Sequence, residues 1–204
     1  MTDVLSGAER RRLDPGDDAR FYDRPRFVHH VDEGFRDRLA RLYADRLDAG
    51  DDVLDLMGSW VAHLPDAAYR RVVGHGLNGE ELAANERYDE WFVRDLNAEP
   101  ELPLADAAFD AVTCAVSVQY LQYPGRVFAE VARVLRPGGV CIVSFSNRMF
   151  AGKAVRAWRE RDMDGRADLV GRYLDSTGAF DGVELVREVP ERDPFYAAVA
   201  RRQG

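Results

Sequence analysis

Short apolar, β-rich runs alternate with stretches of helical periodicity along most of the chain, and this alternation restricts the fold more than any other feature. Val31, Phe35, Leu39, Leu42, Tyr43 and Leu47 recur at helical spacing, and Gly50 ends that segment. Strands are expected at Asp52–Leu56, Arg71–His75, Trp91–Arg94, Phe109–Ala115 and Val140–Phe145. Helices are expected within Ser59–Tyr69, over Gly79–Asn85 and before Arg136, the last with Val127, Phe128, Val131, Val134 and Leu135 on one face. Arg136-Pro137-Gly138-Gly139 reads as a sharp turn into the next strand. After Lys153 a helical region extends to Ser176 with a break at Asp164-Gly165. Val183–Val189 and Phe195–Arg201 then follow as strands with no helix between them, which implies an antiparallel hairpin. Strands separated by helices pair in parallel and need cover on both faces. The expected architecture is therefore α/β: a doubly wound, mostly parallel sheet of seven strands with helices on both faces and a terminal hairpin.

A chain of 204 residues suits one compact domain. Residues 1–20 are polar, charged and marked by the turn signal Asp14-Pro15-Gly16, so they read as a loose tail. The division expected is a tail over 1–30, able to act as a lid, and a domain over 31–204. No apolar run approaches the ~20 residues of a membrane span, and the first residues lack a secretory apolar stretch. A cytoplasmic protein with no membrane partner is expected. Net charge is −8, and Lys153 is the only lysine. Abundant aspartate with almost no lysine resembles the composition of proteins from halophilic organisms. No nucleic-acid partner is expected, although a proteome-wide acidic bias would weaken the argument from charge. Cys114 and Cys141 sit in apolar runs and read as buried thiols. The four histidines show no metal-ligand spacing with them.

Ligands of doubly wound sheets bind outside the carboxyl ends of the strands, where strand order reverses. The first strand delivers Val53-Leu54-Asp55-Leu56-Met57-Gly58-Ser59-Trp60 there. The segment resembles the cofactor loop of class I S-adenosylmethionine-dependent methyltransferases, with small residues where backbone must approach the cofactor. Met57 stands where that family usually has its first glycine. Phe109-Asp110-Ala111-Val112, after Leu102-Pro103-Leu104-Ala105-Asp106, is similar to the family's entry into its fourth strand. Glu130-Val131-Ala132-Arg133-Val134-Leu135-Arg136-Pro137-Gly138-Gly139 is similar to its helix and turn before the fifth. The likeness spans about residues 35–147 and is greatest to the type-11 group. Asp55–Pro65 and Ser144–Phe150 resemble a subgroup with an atypical cofactor loop. A Rossmann-like fold with S-adenosyl-L-methionine as cofactor is implied.

The resemblance also implies cofactor contacts. Asp55 would orient the loop and the cofactor's ammonium group, with Met57, Gly58 and Ser59 beside it. Gly76, Leu77 and Asn78 end the second strand. The family places a ribose-binding carboxylate at the position of Gly76, and there Asn78 is either a weaker amide substitute or simply a helix cap. Asp95 and Leu96 match the pair that reads adenine, and Val116 and Ser117 would lie under the methionine moiety. No nucleophile-specific motif is present. Tyr22, His30 and Tyr120 are candidates for a base. Arg26, Gln119, Asn147 and Arg148 are candidates for substrate binding. The function implied is methyl transfer to a small-molecule acceptor. An inactive methyltransferase-fold binding or regulatory protein is the alternative. A nucleotide-dependent dehydrogenase is disfavoured, because Gly-x-Gly-x-x-Gly is absent after the first strand.

Overall fold

A computed structural model describes residues 3–190 and 192–204. Met1 and Thr2, within the predicted tail, lie outside the described residues. One sheet runs through the molecule. Its strands are β1 (Asp52–Asp55), β2 (Arg71–Gly76), β3 (Glu90–Val93), β4 (Phe109–Ala115), β5 (Leu135–Phe145), β6 (Phe180–Glu188) and β7 (Phe195–Arg202). Their order is β3-β2-β1-β4-β5-β7-β6. The first five are mutually parallel, β7 runs antiparallel to β5, and β6 pairs antiparallel to β7. The doubly wound, seven-stranded expectation and its hairpin hold. Strand order reverses between β1 and β4, which places the switch point at their carboxyl ends.

Alternate residues of each strand face opposite layers. Val53, Ala111 and Ile142 pack on one side with Phe35, Leu39, Leu42 and Tyr43 of the helix α2 (Glu33–Arg46), which follows the short helix α1 (Asp18–Phe21). Leu54, Val112 and Val143 pack on the other with apolar residues of two further helices, Pro124–Val134 and Met163–Asp175. Cys114 and Cys141 are buried free thiols on β4 and β5. Among the described residues, no helix is long and apolar enough to cross a membrane.

Four expectations need correction. Ser59–Tyr69 forms no helix. Pro65 lacks an amide donor, His63 has φ +56°, and Arg87 Nη2 donates to the carbonyls of Pro65 and Ala67 at 2.8 and 3.2 Å. Leu64 and Tyr69 instead pack directly on the α2 face of the sheet. Second, Arg136–Gly139 is an interruption within β5 rather than a separate turn, for the pairing with β4 jumps from Phe109↔Leu135 to Ala111↔Val140. Arg136 fills it, bonding Asp52 at 2.8 Å and Asp110 at 2.5 Å. Third, the helical region after Lys153 breaks before Asp162, not at Asp164-Gly165, because the Asp162 carboxylate accepts the Gly165 amide at 2.8 Å and starts the last helix.

The fourth concerns residues 3–20 of the expected tail, which are not loose. Leu5 is 1% exposed and belongs to the main core. Main-chain bonds run from Arg156 N to Arg11 O, from Ala157 N to Glu9 O and from Asp14 N to Gly152 O, at 2.8, 3.0 and 2.8 Å. No periodicity announces these contacts, because they are backbone bonds of an irregular segment.

Candidate functional site

A cavity of about 300 Å³ opens at the carboxyl ends of β1 to β5, at the switch point. Its wall at β1 is built around Asp55, which is 2% exposed. Tyr88 donates to Asp55 Oδ2 at 2.6 Å and Thr113 to Oδ1 at 3.0 Å. Burial nonetheless pushes the Asp55 carboxyl up to about 7, against these two bonds. The loop that follows is tight. A Cβ at Gly58 would fall 2.4 Å from the Tyr88 hydroxyl and 2.6 Å from Asp55 Oδ2, so only glycine fits. Met57 adopts φ +57°, the left-handed conformation that a glycine takes without cost.

At the end of β2, the missing carboxylate has a steric cause. A Cβ on Gly76 would lie 2.6 Å from the Gly58 carbonyl oxygen, so this packing leaves no room for any side chain there. Asn78 does not stand in for it. Its Oδ1 accepts the Glu80 and Glu81 amides at 2.9 and 3.0 Å, capping the helix α3 (Gly79–Ala83). Its Nδ2 donates to Tyr22 O and Asp23 O at 2.8 and 3.2 Å. All four hydrogen-bonding positions of that amide are taken. The carboxylate that does line the cavity here is buried Glu81. It accepts the Arg26 amide at 2.6 Å and the Ser59 hydroxyl at 2.5 Å, leaving lone pairs on both oxygens. Its place inside a five-residue helix hides it from any reading of strand ends.

Asp95 and Leu96 line the cavity after β3. Asp95 Oδ1 accepts the Asn97 amide at 2.9 Å, and Oδ2 has no hydrogen bond among the described residues. After β4, Val116 lies at φ +53°, an outlier for a β-branched residue. Ser117 beside it lies 3.4 Å from Cys114 Sγ and donates to Ala115 O. Leu77, Met57, Gly58, Ser59 and Gly76 are also in the wall.

On the remaining side stand Tyr22, Arg26, His30, Tyr120 and Arg148. Gln119 and Asn147 do not line the cavity. Gln119 is buried and donates to Val116 O at 2.8 Å, and Asn147 is exposed beside Ser146. Tyr120 accepts the Phe150 amide at 2.9 Å, and burial holds its phenol and that of Tyr22 above their ordinary values. Neither is a ready base. Burial pulls His30 below its ordinary value, which leaves it neutral at pH 7 and able to accept a proton. Arg26 is enclosed rather than open. Its guanidinium lies 4.7 Å from the Phe21 ring centroid and 5.5 Å from those of Tyr22 and Phe150, and donates to Phe21 O at 2.9 Å. Arg148 bonds the buried Asp193 through Nε at 2.6 Å.

The amino-terminal segment closes this side. Lys153, also in the cavity wall, donates to Gly16 O at 2.8 Å and pairs with Asp14 at 3.1 Å and Asp18 at 3.3 Å. Asp18 in turn accepts from Arg12 at 2.5 Å and Asn97 at 3.1 Å. Further along, Trp60 Nε1 donates to Val28 O at 3.3 Å.

Residues 56–143 match the type-11 family model described as a methyltransferase domain. Over 105 residues the chain is 37% identical to a Mycolicibacterium smegmatis protein named a probable S-adenosylmethionine-dependent methyltransferase, a stretch covering 50% of this chain and 40% of that one. The chain thus spans less than half the length of that curated relative. A Pyrococcus horikoshii protein superposes with a TM-score of 0.61 at 19% identity, covering 90% of this chain and 99% of the other. Phosphoethanolamine N-methyltransferase 2 of Haemonchus contortus, solved with S-adenosyl-L-methionine, does so at 0.60 and 14% identity, covering 83% and 53%. These structural likenesses speak for the fold alone. The matched segment, the relatives and the sheet with its switch-point cavity make the chain similar to the class I S-adenosylmethionine-dependent methyltransferases.

Proposed function

We propose that the chain transfers the methyl group of S-adenosylmethionine to a small-molecule acceptor. The observation that carries this is the switch-point cavity, walled by Asp55, Glu81, Asp95 and the Met57–Ser59 loop. The residues fit the cofactor. Gly58 and Gly76 sit so tightly that a Cβ at either would strike neighbouring atoms, and Asp95 keeps an uncommitted carboxylate oxygen. Asp95 and the Leu96 amide would hold adenine. Glu81 would take the ribose hydroxyls in place of a residue at Gly76. The loop from Met57, with Val116 and Ser117, would receive the methionine part. When bound, the cofactor supplies an electrophilic methyl on sulfur. The chain's own work is alignment and exclusion of water, with neutral His30 as acceptor of a proton from the nucleophile. Arg148 would bind an anionic group of the acceptor through its uncommitted nitrogens. In this reading residues 1–30 form a lid over the domain 31–204 of a cytoplasmic protein from a halophilic organism.

Calorimetric titration with S-adenosylmethionine and S-adenosylhomocysteine tests the reading. Binding of both, lost in Asp95→Ala, is expected, and no binding up to millimolar concentration overturns it. A second reading, a methyltransferase fold acting only as a binding module, is favoured by the absence of a carboxylate at Gly76 and by Met57 in place of a glycine in the loop after β1. Methyl transfer to any component of a cell extract, abolished by Asp95→Ala, rules it out.

A further inference from the structure

His75 lies at the centre of the cavity wall, 1% exposed, and the cofactor contacts above give it no role. Its bonds are specific. The Gly58 amide donates to its main-chain oxygen at 2.7 Å. The Met57 amide donates to its ring Nδ1 at 3.0 Å, and its Nε2 faces Arg94 O at 2.9 Å. A nitrogen that accepts an amide proton carries none of its own, and one facing a carbonyl must donate. The ring is therefore the neutral Nε2–H tautomer, assigned from its partners. Phe92 packs against it with centroids 5.0 Å apart.

Two consecutive amides of the cofactor loop thus end on one residue, and the same imidazole reaches the residue before Asp95. Met57 bears a side chain in the left-handed region, a conformation that persists only where its surroundings hold it. The bond from its amide to His75 is such a hold, made by a side chain rather than by a glycine turn. We infer that His75 is a positioning residue of the cofactor site: its imidazole fixes the Met57–Ser59 loop and sets its spacing from the Arg94–Leu96 loop. Its consequence for ligand affinity rests on the methyltransferase reading; its hold on the loop does not.

Nitrogen-15 NMR and amide exchange of the ligand-free protein test the hold. A protonated Nε2, a bare Nδ1 and slow exchange at Met57 and Gly58 are expected at pH 7. A protonated Nδ1, or fast exchange at Met57, overturns the inference. His75→Phe keeps a ring and removes both ring bonds. In that variant S-adenosylhomocysteine should bind at least about tenfold more weakly, while 5′-methylthioadenosine, which lacks the amino-acid part, should bind within about threefold of the wild type. Equal weakening of both ligands, or of neither, overturns the inference. Failure of the wild type to bind S-adenosylhomocysteine would remove the methyltransferase reading alone, since tautomer and exchange decide the hold without ligand.

Discussion

The Tyr88 phenol donates to the buried Asp55 carboxylate at 2.6 Å, and its ring lies so close over Gly74 that a Cβ there would sit 2.2 Å from it. Gly74 on β2 is thus the gap through which a residue beyond α3 reaches the end of β1. Tyr88→Phe leaves Asp55 with Thr113 alone and should cost about 1–3 kcal/mol. Gly74→Ala should cost at least as much, through overpacking. Combining Gly74→Ala with Tyr88→Leu should cost less than the sum of the two single changes. Urea denaturation of these three variants and of Tyr88→Leu alone measures this directly.

The raised Asp55 carboxyl makes a signed pH prediction. Its folded value of about 7 exceeds the unfolded value of about 4, so between those limits the folded state binds more protons. Stability contributed by this group is full at the acid end and is lost as pH rises through 7. His75, drawn down to about 4 by burial, acts in the opposite sense below its unfolded value of about 6.5. Subtraction isolates Asp55: the stability of wild type minus that of Asp55→Asn should fall from about pH 4 to 7 and then level. A flat difference across that range would refute it.

Restoring the family's usual carboxylate should fail. Gly76→Asp must displace the Gly58 carbonyl, so we expect weaker binding of S-adenosylhomocysteine and a lower Tm. Glu81→Gln should weaken binding by about tenfold with little change in Tm. Calorimetry and thermal denaturation of both variants separate the two effects.

Lys153→Met tests the closure. It takes one of two cations from buried Asp18, leaving Arg12 and Asn97 on that carboxylate, and leaves the Gly16 carbonyl without its donor, so it should cost about 1–3 kcal/mol. The amino-terminal segment should then be cut by protease far faster than in the wild type, while β4 and β5 stay protected.

Much of the fold was legible because burial imposes periodicity. The apolar positions Phe35, Leu39, Leu42 and Tyr43 all proved to face the sheet, and Phe109–Ala115 matched its strand residue for residue. Ser59–Tyr69 misled because its apolar residues do pack on the sheet, but as an extended cover whose carbonyls Arg87 captures. At the site, strand ends led to Asp55, Gly76 and Asp95. They could not lead to His75, Tyr88 or Glu81, whose importance lies in bonds across the sheet. Neither could they show that Asn78 was fully committed. The lone lysine was visible as a rarity of composition; that it is buried against Gly16 and Asp18 was not.

The anchorage of residues 3–30 has a consequence for biosynthesis. Gly16 meets Lys153 across 137 positions of sequence, and Glu9 and Arg11 bond the amides of Ala157 and Arg156. On a ribosome this segment therefore finds its berth only once Lys153, 137 positions after Gly16, has been translated. Until then it is a tether, and the buried place of Leu5 stands open to any apolar competitor. Contacts of this sequence separation slow folding, so docking of this segment should be the last event to complete the cavity.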